Sequence, residues 1–279
     1  TGSMAFNGST TTTVKNAATY ALTVGTLAGT TTNGNYQIAF ANPASNTYLI
    51  NPATLSVSAV KDYDGSQSFA ANRITVTTGI GTQTVVLTGT ATANSANVTG
   101  VSSLSTIGLS LGDGANGGLA ANYVLPESTS NVVIRPLTIT ASITGSPTKV
   151  YDATTTATLA SGDYSLSGFI AGQGASVSQT LGAYNYANAT SNTSYSPATS
   201  ITAALIPSHF TANVGTNLSN YTLPTTATGS ATITTAPLTL RANSYAAFAG
   251  QSPSSFAGTV TGAQGSDSIS ASVSQSPSG

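Results

Sequence analysis

Asn122-Tyr123-Val124-Leu125-Pro126 returns as Asn220-Tyr221-Thr222-Leu223-Pro224, and Asn35-Tyr36-Gln37-Ile38 opens in the same way nearer the start. Each is followed by a proline at the head of an alternating segment: Pro52-Ala53-Thr54-Leu55-Ser56-Val57, Pro136-Leu137-Thr138-Ile139-Thr140 and Pro237-Leu238-Thr239-Leu240. Between these markers Lys61-Asp62-Tyr63-Asp64-Gly65 returns as Lys149-Val150-Tyr151-Asp152-Ala153. Tyr63 and Tyr151 are 88 positions apart, and Asn122 and Asn220 are 98 apart. A chain that repeats at domain length reads as an array of modules, which favours a spacing role over catalysis.

The segments between the markers read as strands. Ile74-Thr75-Val76-Thr77, Thr84-Val85-Val86-Leu87-Thr88 and Ala231-Thr232-Ile233-Thr234 place apolar residues at or near every second position, the period of a half-buried strand. Gly112-Asp113-Gly114, Asn116-Gly117-Gly118 and Ser161-Gly162-Asp163 supply turn residues between them. No stretch carries a capped helical stripe. The expectation is an all-β chain of tandem Ig-like β-sandwich repeats arranged end to end. A β-solenoid is the alternative, disfavoured because no rung period of ~20–30 residues appears. The recurring prolines divide the chain at 1–51, 52–135, 136–236 and 237–279: two whole repeats flanked by two partial ones. Proline at the first position of a strand sacrifices no ladder N–H.

Composition narrows the function. Charged residues are 5% of the chain, far below the usual ~25%, so Thr, Ser, Asn and Gly must make the polar surface. A net charge of −1 offers no field to hold nucleic acid. No apolar run reaches the ~20 residues that a membrane helix needs, so no direct membrane insertion is expected. Cysteine is absent, and modules of this length can bury enough core without disulfides. Thr1-Gly2-Ser3-Met4 has no signal-peptide core, and the native chain is expected to extend further both ways.

The residues also carry a family likeness. Lys149-Val150-Tyr151-Asp152 with Thr154-Thr155, Ala157 and Leu159, then Gly168 and Gly172, Asn220-Tyr221 and the passage through Thr232-Ile233-Thr234 to Pro237 resemble YDG-type repeats. Lys61-Asp62-Tyr63-Asp64-Gly65 is similar, with Asp62 at a normally apolar position; Ala153 departs from the usual Gly. Residues 1–51, through Ala18-Thr19-Tyr20-Ala21-Leu22-Thr23-Val24, resemble the closing part of an MBG repeat. Residues 237–279, through Tyr245, Pro253, Phe256 and Thr261-Gly262, resemble its opening part. The resemblance implies a large bacterial surface adhesin of the filamentous-haemagglutinin-like, two-partner-secreted kind. Its implied place is secreted or on the bacterial cell surface, at the outer membrane. The stretch 183–200 is longer than the pattern leads one to expect.

Few side chains offer chemistry. Tyr63 and Tyr151 are expected to fill core edges, and Asp64 and Asp152 to cap turns. The competing reading is a calcium clamp through Asp62 and Asp64; calcium wants six to eight oxygens, and the seven acids of the chain are spread out. Lys61 and Lys149 are expected to be solvated or snorkelling, each paired with its neighbouring Asp. The competing reading there is a Lys–Asn cross-link, which needs a neutral lysine beside a protonated acid. Asn122, Tyr123, Asn220 and Tyr221 complete the structural signature. His209, the sole histidine, has no partner for a metal or a triad, and Glu127, the sole glutamate, cannot form a Glu pair. Asn-x-Ser/Thr triplets begin at Asn97, Asn188, Asn192 and Asn217, and chance suffices to explain them.

The expected role is a stalk segment that projects a binding region or links cells in a biofilm, without catalysis or cofactor. Its partners would be neighbouring repeats of the same long chain and other adhesin copies. The alternative is a carbohydrate-binding module that engages exopolysaccharide or host glycan through Tyr184, Tyr186 and Tyr195, with Tyr184 and Tyr186 on one strand face; against it stands cross-strand packing of these rings into the sandwich core, the reading the pattern favours.

Overall fold

A computed structural model describes residues 2–7, 13–29, 34–37, 39, 47–244, 246, 248–250, 256–270 and 272–273. Ile38, Tyr245 and Pro253 of the sequence signature lie outside them. The chain divides into two compact units, residues 1–136 and 137–279. Both are all-β, and the described residues contain no α-helix, only 3-10 turns.

The first unit opens with β1 (Ala5–Phe6), β2 (Ala18–Thr23) and β3 (Thr47–Ile50), an antiparallel sheet on which Phe6 lies 5.8 Å from the ring of Tyr20 and 5.6 Å from that of Tyr48. A sandwich follows. One layer is β4 (Ala53–Thr54), β5 (Ser56–Asp62), β7 (Ile74–Thr77), β11 (Tyr123–Val124) and β13 (Val132–Arg135). Here β11 runs parallel to β4, β13 parallel to β5, and β7 antiparallel to β5. The other layer is β6 (Ser68–Ala70), β8 (Val85–Ala93), β9 (Leu104–Ser105), β10 (Leu109–Asp113) and β12 (Ser128–Thr129), all antiparallel. The period of two explains the core. On β5, Val57, Ala59 and Lys61 are buried while Ser56, Val60 and Asp62 are exposed. Phe69, Ala91, Leu104 and Ile134 are almost wholly enclosed.

The second unit repeats this order: β14 (Leu137–Thr138), β15 (Thr140–Ile143), β16 (Thr148–Val150), β17 (Thr156–Thr158), β18 (Tyr164–Ser167), β19 (Ala175–Val177), β20 (Leu181–Tyr184), β21 (Ser200–Ala204), β22 (Phe210–Ala212), β23 (Tyr221–Thr222), β24 (Thr226–Ser230) and β25 (Thr232–Thr234). The parallel pairs recur, β14 with β23 and β16 with β25. One difference stands out. The continuous β5 is matched by two strands, β15 and β16, with residues 144–147 between them. Residues 144–147 leave the extended backbone, with Gly145 and Ser146 at positive φ, and on β16 itself Lys149 is the inward residue while Thr148 and Val150 are exposed. The core gathers Ile143, Leu159, Val177, Tyr184, Ile201, Phe210 and Ile233. The unit closes with β26 (Thr239–Ala242), β27 (Phe256–Thr261) and β28 (Ser272–Val273), again an antiparallel sheet.

The fold is therefore all-β and of the β-sandwich type, with none of its separate sheets closed into a barrel.

Candidate functional site

The polar features that recur are two lysine-centred turns. Lys61 points inward because it shares a strand face with Val57 and Ala59, and the residue is only 5% exposed. Its ammonium cannot be left there without partners. It donates to Asp64 Oδ1 at 2.6 Å, the Ser66 carbonyl at 2.8 Å, Ser66 Oγ at 3.0 Å and the Ser68 carbonyl at 2.9 Å. Lys149 repeats the set: Asp152 Oδ1 at 2.6 Å, the Thr154 carbonyl at 2.7 Å, Thr154 Oγ1 at 2.9 Å and the Thr156 carbonyl at 3.0 Å. Lys61 sits on the β5 layer and Ser68 on the β6–β8 layer, so the ammonium ties the two layers of the sandwich together.

The aspartate shapes the turn. Asp64 Oδ1 also accepts from the Ser66 N–H and hydroxyl, and Asp152 Oδ1 from those of Thr154. Burial acts to raise the pKa of Asp64, but the bonds from Lys61 and Ser66 outweigh it and the net shift is downward. The Lys149 hydrogen bond leads in holding Asp152 at about 2, with the Thr154 bonds adding to it against a desolvation penalty. The residue after each aspartate lies in the left-handed region, φ 78° at Gly65 and 64° at Ala153. Glycine occupies that region freely, whereas alanine is strained there.

An aromatic ring closes each cage, but from different strands. In the first repeat Phe69 of β6, which faces Ala91 across the sheet, lies 4.9 Å from the Lys61 ammonium, and the small Ala93 stands two positions further along β8. In the second, Tyr184 of β20 lies 5.3 Å from Lys149, and Ala157 of β17 is small. Both are cation–π contacts at useful distance.

The Asn-Tyr signature is structural too. Asn122 and Asn220 end 3-10 turns that launch β11 and β23. Asn122 Oδ1 accepts from the Ala17 N–H at 2.7 Å and its amide donates to Asn16 Oδ1 at 3.1 Å; Asn220 is fully buried. Tyr123 and Tyr221 are buried, and their hydroxyls donate to Gln83 Oε1 and Gln173 Oε1. These two glutamines escaped the sequence reading. Their signal was the recurrence of Ile80-Gly81-Thr82-Gln83 as Ile170-Ala171-Gly172-Gln173.

Several expectations change. Both lysines pair with a neighbouring aspartate as expected, Asp64 and Asp152, but Lys61 is buried and not solvated, and Lys149 is partly buried. The oxygens that could have formed a cation site converge on the Lys61 ammonium, and Asp62 lies on the opposite, exposed face of β5. Among the described residues no three of His, Cys, Asp and Glu group together. Neither ammonium donates to an asparagine, and each neighbouring carboxyl is more acidic than usual, the reverse of what cross-link chemistry requires. Tyr184 is only 4% exposed and belongs to the core, because β20 ends there and its side chain fills the space under Lys149. Burial, then the charge of Asp152, raises its pKa. Tyr186, beyond the strand end, does not share its face and is exposed.

Tyr195 remains outward, 72% exposed. It borders a cleft of about 400 Å³ with Tyr151, Asn188, Asn192, Gln264 and Asp267. The Tyr151 hydroxyl donates to Asp267 Oδ2 at 2.8 Å, which raises the phenol's pKa. The long segment 183–200 builds one wall. It is braced by Asn185 Oδ1, which accepts from the Thr199 and Ser200 N–H groups, as Asn94 Oδ1 accepts from Ser102 and Ser103 in the first repeat. Elsewhere, His209 Nδ1 accepts from the Ile206 N–H and caps its turn, and Asn217 caps another through the Ser219 N–H.

The YDG domain model matches residues 49–131 and 135–231, together more than half of the chain. The chain belongs to the YDG domain family. No curated protein and no solved structure matches it significantly. The match leaves residues 1–48 and 232–279 outside both YDG domains, which takes in all of the flanking pieces read above as MBG-like except residues 49–51.

Proposed function

We infer that this tandem of YDG domains is a stalk segment of a secreted bacterial adhesin, one that holds a binding region away from the cell or links cells in a biofilm. One observation carries the reading: each domain closes on itself by pairing its opening strands with its closing ones in parallel, β4 with β11 and β5 with β13, then β14 with β23 and β16 with β25, so copies can be strung along one chain with only Pro136 between β13 and β14. The recurring polar cluster supports it as well, because its donors and acceptors are consumed within the domain. The role asks for no catalysis and no cofactor, calcium included. Its partners are neighbouring repeats and other copies of the adhesin, and its place is the bacterial surface. Small-angle scattering tests the reading. A particle several times longer than wide supports an end-to-end stalk, and a compact particle refutes it.

The cleft beside Tyr195 favours a second reading, a module for exopolysaccharide or host glycan. An exposed ring among amides can stack on a sugar face while the amides bond its hydroxyls. A glycan array tests it: binding that is lost in Tyr195→Ala, with the fold retained, supports a glycan site, and no binding by the parent protein refutes it.

A further inference from the structure

We propose that each YDG domain is a mechanical clamp, in which tension along the chain shears the parallel ladders between the domain's opening and closing strands. In the first domain Ala53 and Thr54 oppose Tyr123 and Val124, and residues 59–62 oppose 132–135, all in parallel. In the second, Leu137 and Thr138 oppose Tyr221 and Thr222, and residues 148–150 oppose 232–234. Bonds just outside the strands extend both ladders at matching places. The Leu55 N–H donates to the Val124 carbonyl and the Tyr63 N–H to the Arg135 carbonyl, both at 2.9 Å. The Ile139 N–H donates to the Thr222 carbonyl at 3.0 Å and the Tyr151 N–H to the Thr234 carbonyl at 2.9 Å.

The direction of the strands makes this a clamp. Tension on a chain held at its ends pulls the opening strands toward the N-terminus and the last strand toward the C-terminus, and that last strand lies in parallel on an opening one, β13 on β5 and β25 on β16. In a parallel pair those pulls are opposed along one axis. The hydrogen bonds run between the strands, slanted across that axis, so the whole ladder must stretch together before any bond breaks. Antiparallel neighbours pulled from adjacent ends open one bond at a time instead. Residues 64–122, which include the Lys61 acceptors and Phe69, lie outside the tension path until the clamp yields. Resistance to force is governed by the unfolding rate and not by equilibrium stability, so a domain of ordinary stability can hold under tension.

The use of the clamp in the cell rests on the stalk reading; its dependence on pulling direction does not. The chain has no cysteine, so attachment points can be placed at will. Asn51→Cys and Ala121→Cys sit at exposed positions at the same end of the parallel β4–β11 pair, and pulling between them peels that pair. In single-molecule pulling of this full-length variant, the unfolding force from the chain ends is expected to be severalfold higher than the force between the two cysteines. Both forces come from one molecule, so any loss of stability enters both and their ratio decides. Equal forces overturn the proposal. Equal forces with an extended particle in scattering sink the clamp and leave the stalk; a high ratio with a compact particle sinks the stalk and leaves the clamp.

Discussion

The first YDG domain and the second build the same lysine cage with different aromatic rings. At one strand position the first has Phe69 and the second Ala157; at a position on the neighbouring strand the first has Ala93 and the second Tyr184. The ring moved across the sheet while the ammonium, the aspartate and the three other oxygens kept their places. What is retained is therefore a buried cation with its acceptors satisfied and one aromatic face against it, and the strand that supplies the face is negotiable. The reason is volumetric: a close-packed core tolerates a large–small pair in either order but neither two large nor two small residues.

The largest effect comes from breaking that pair. Phe69→Ala should destabilise the first domain by about 3–5 kcal/mol and leave the second unchanged. Ala93→Tyr alone should overpack it, at a cost of about 1–3 kcal/mol. The double variant, which copies the arrangement of the second domain, should recover most of the loss. Denaturant unfolding of all three gives the coupling energy, and additive losses would mean that the two sites do not share a cavity.

Next in size is the cage itself. Lys61→Met removes a deeply buried cation and strands the Ser66 and Ser68 carbonyls, at an expected cost of about 3 kcal/mol. Lys149, whose side chain is 17% exposed against 5% for Lys61, should cost less on the same change, about 1–2 kcal/mol. Equal midpoint shifts in the two unfolding transitions would contradict the ranking by burial.

A smaller difference lies in the turn. Ala153→Gly should stabilise the second domain by about 1 kcal/mol, because alanine is strained at positive φ, and Gly65→Ala should destabilise the first by a similar amount. Thermal melts of the pair should move in opposite directions.

The smallest expected effect is on acid stability. Asp64 and Asp152 have lowered folded-state pKa values, so the stability they contribute is present above their unfolded pKa near 3.8 and is lost as pH falls toward the folded values, about 2 for Asp152. Both side chains are roughly half exposed, at 55% and 48%, so solvent screening keeps the effect small. Stability measured from pH 5 to pH 2 should fall less steeply for Asp152→Asn than for the parent protein; parallel curves would remove Asp152 from the account.

Much of this could be read from residue order. Alternation, turn residues and the returning Tyr-Asp and Asn-Tyr markers gave the all-β class and the tandem. Val57-x-Ala59-x-Lys61 is one strand face, so the inward lysine was there to be read; charge argued against it, and burial prevailed because Asp64, Ser66 and Ser68 supply four acceptor oxygens. Tyr184 was legible only as one of two readings, core packing or a sugar platform; its burial at the end of β20 decides for the core, whereas Tyr186 and Tyr195 are exposed.

The sequence by itself determined the elements and their repetition, because period-two burial and turn chemistry act over a few residues. Tertiary structure decided which strands pair in parallel, where the four oxygens meet the ammonium, and which strand supplies the ring. Those depend on contacts between residues far apart in the chain, such as Ala53 with Tyr123 and Lys149 with Ile233, and no local pattern encodes the register that joins them.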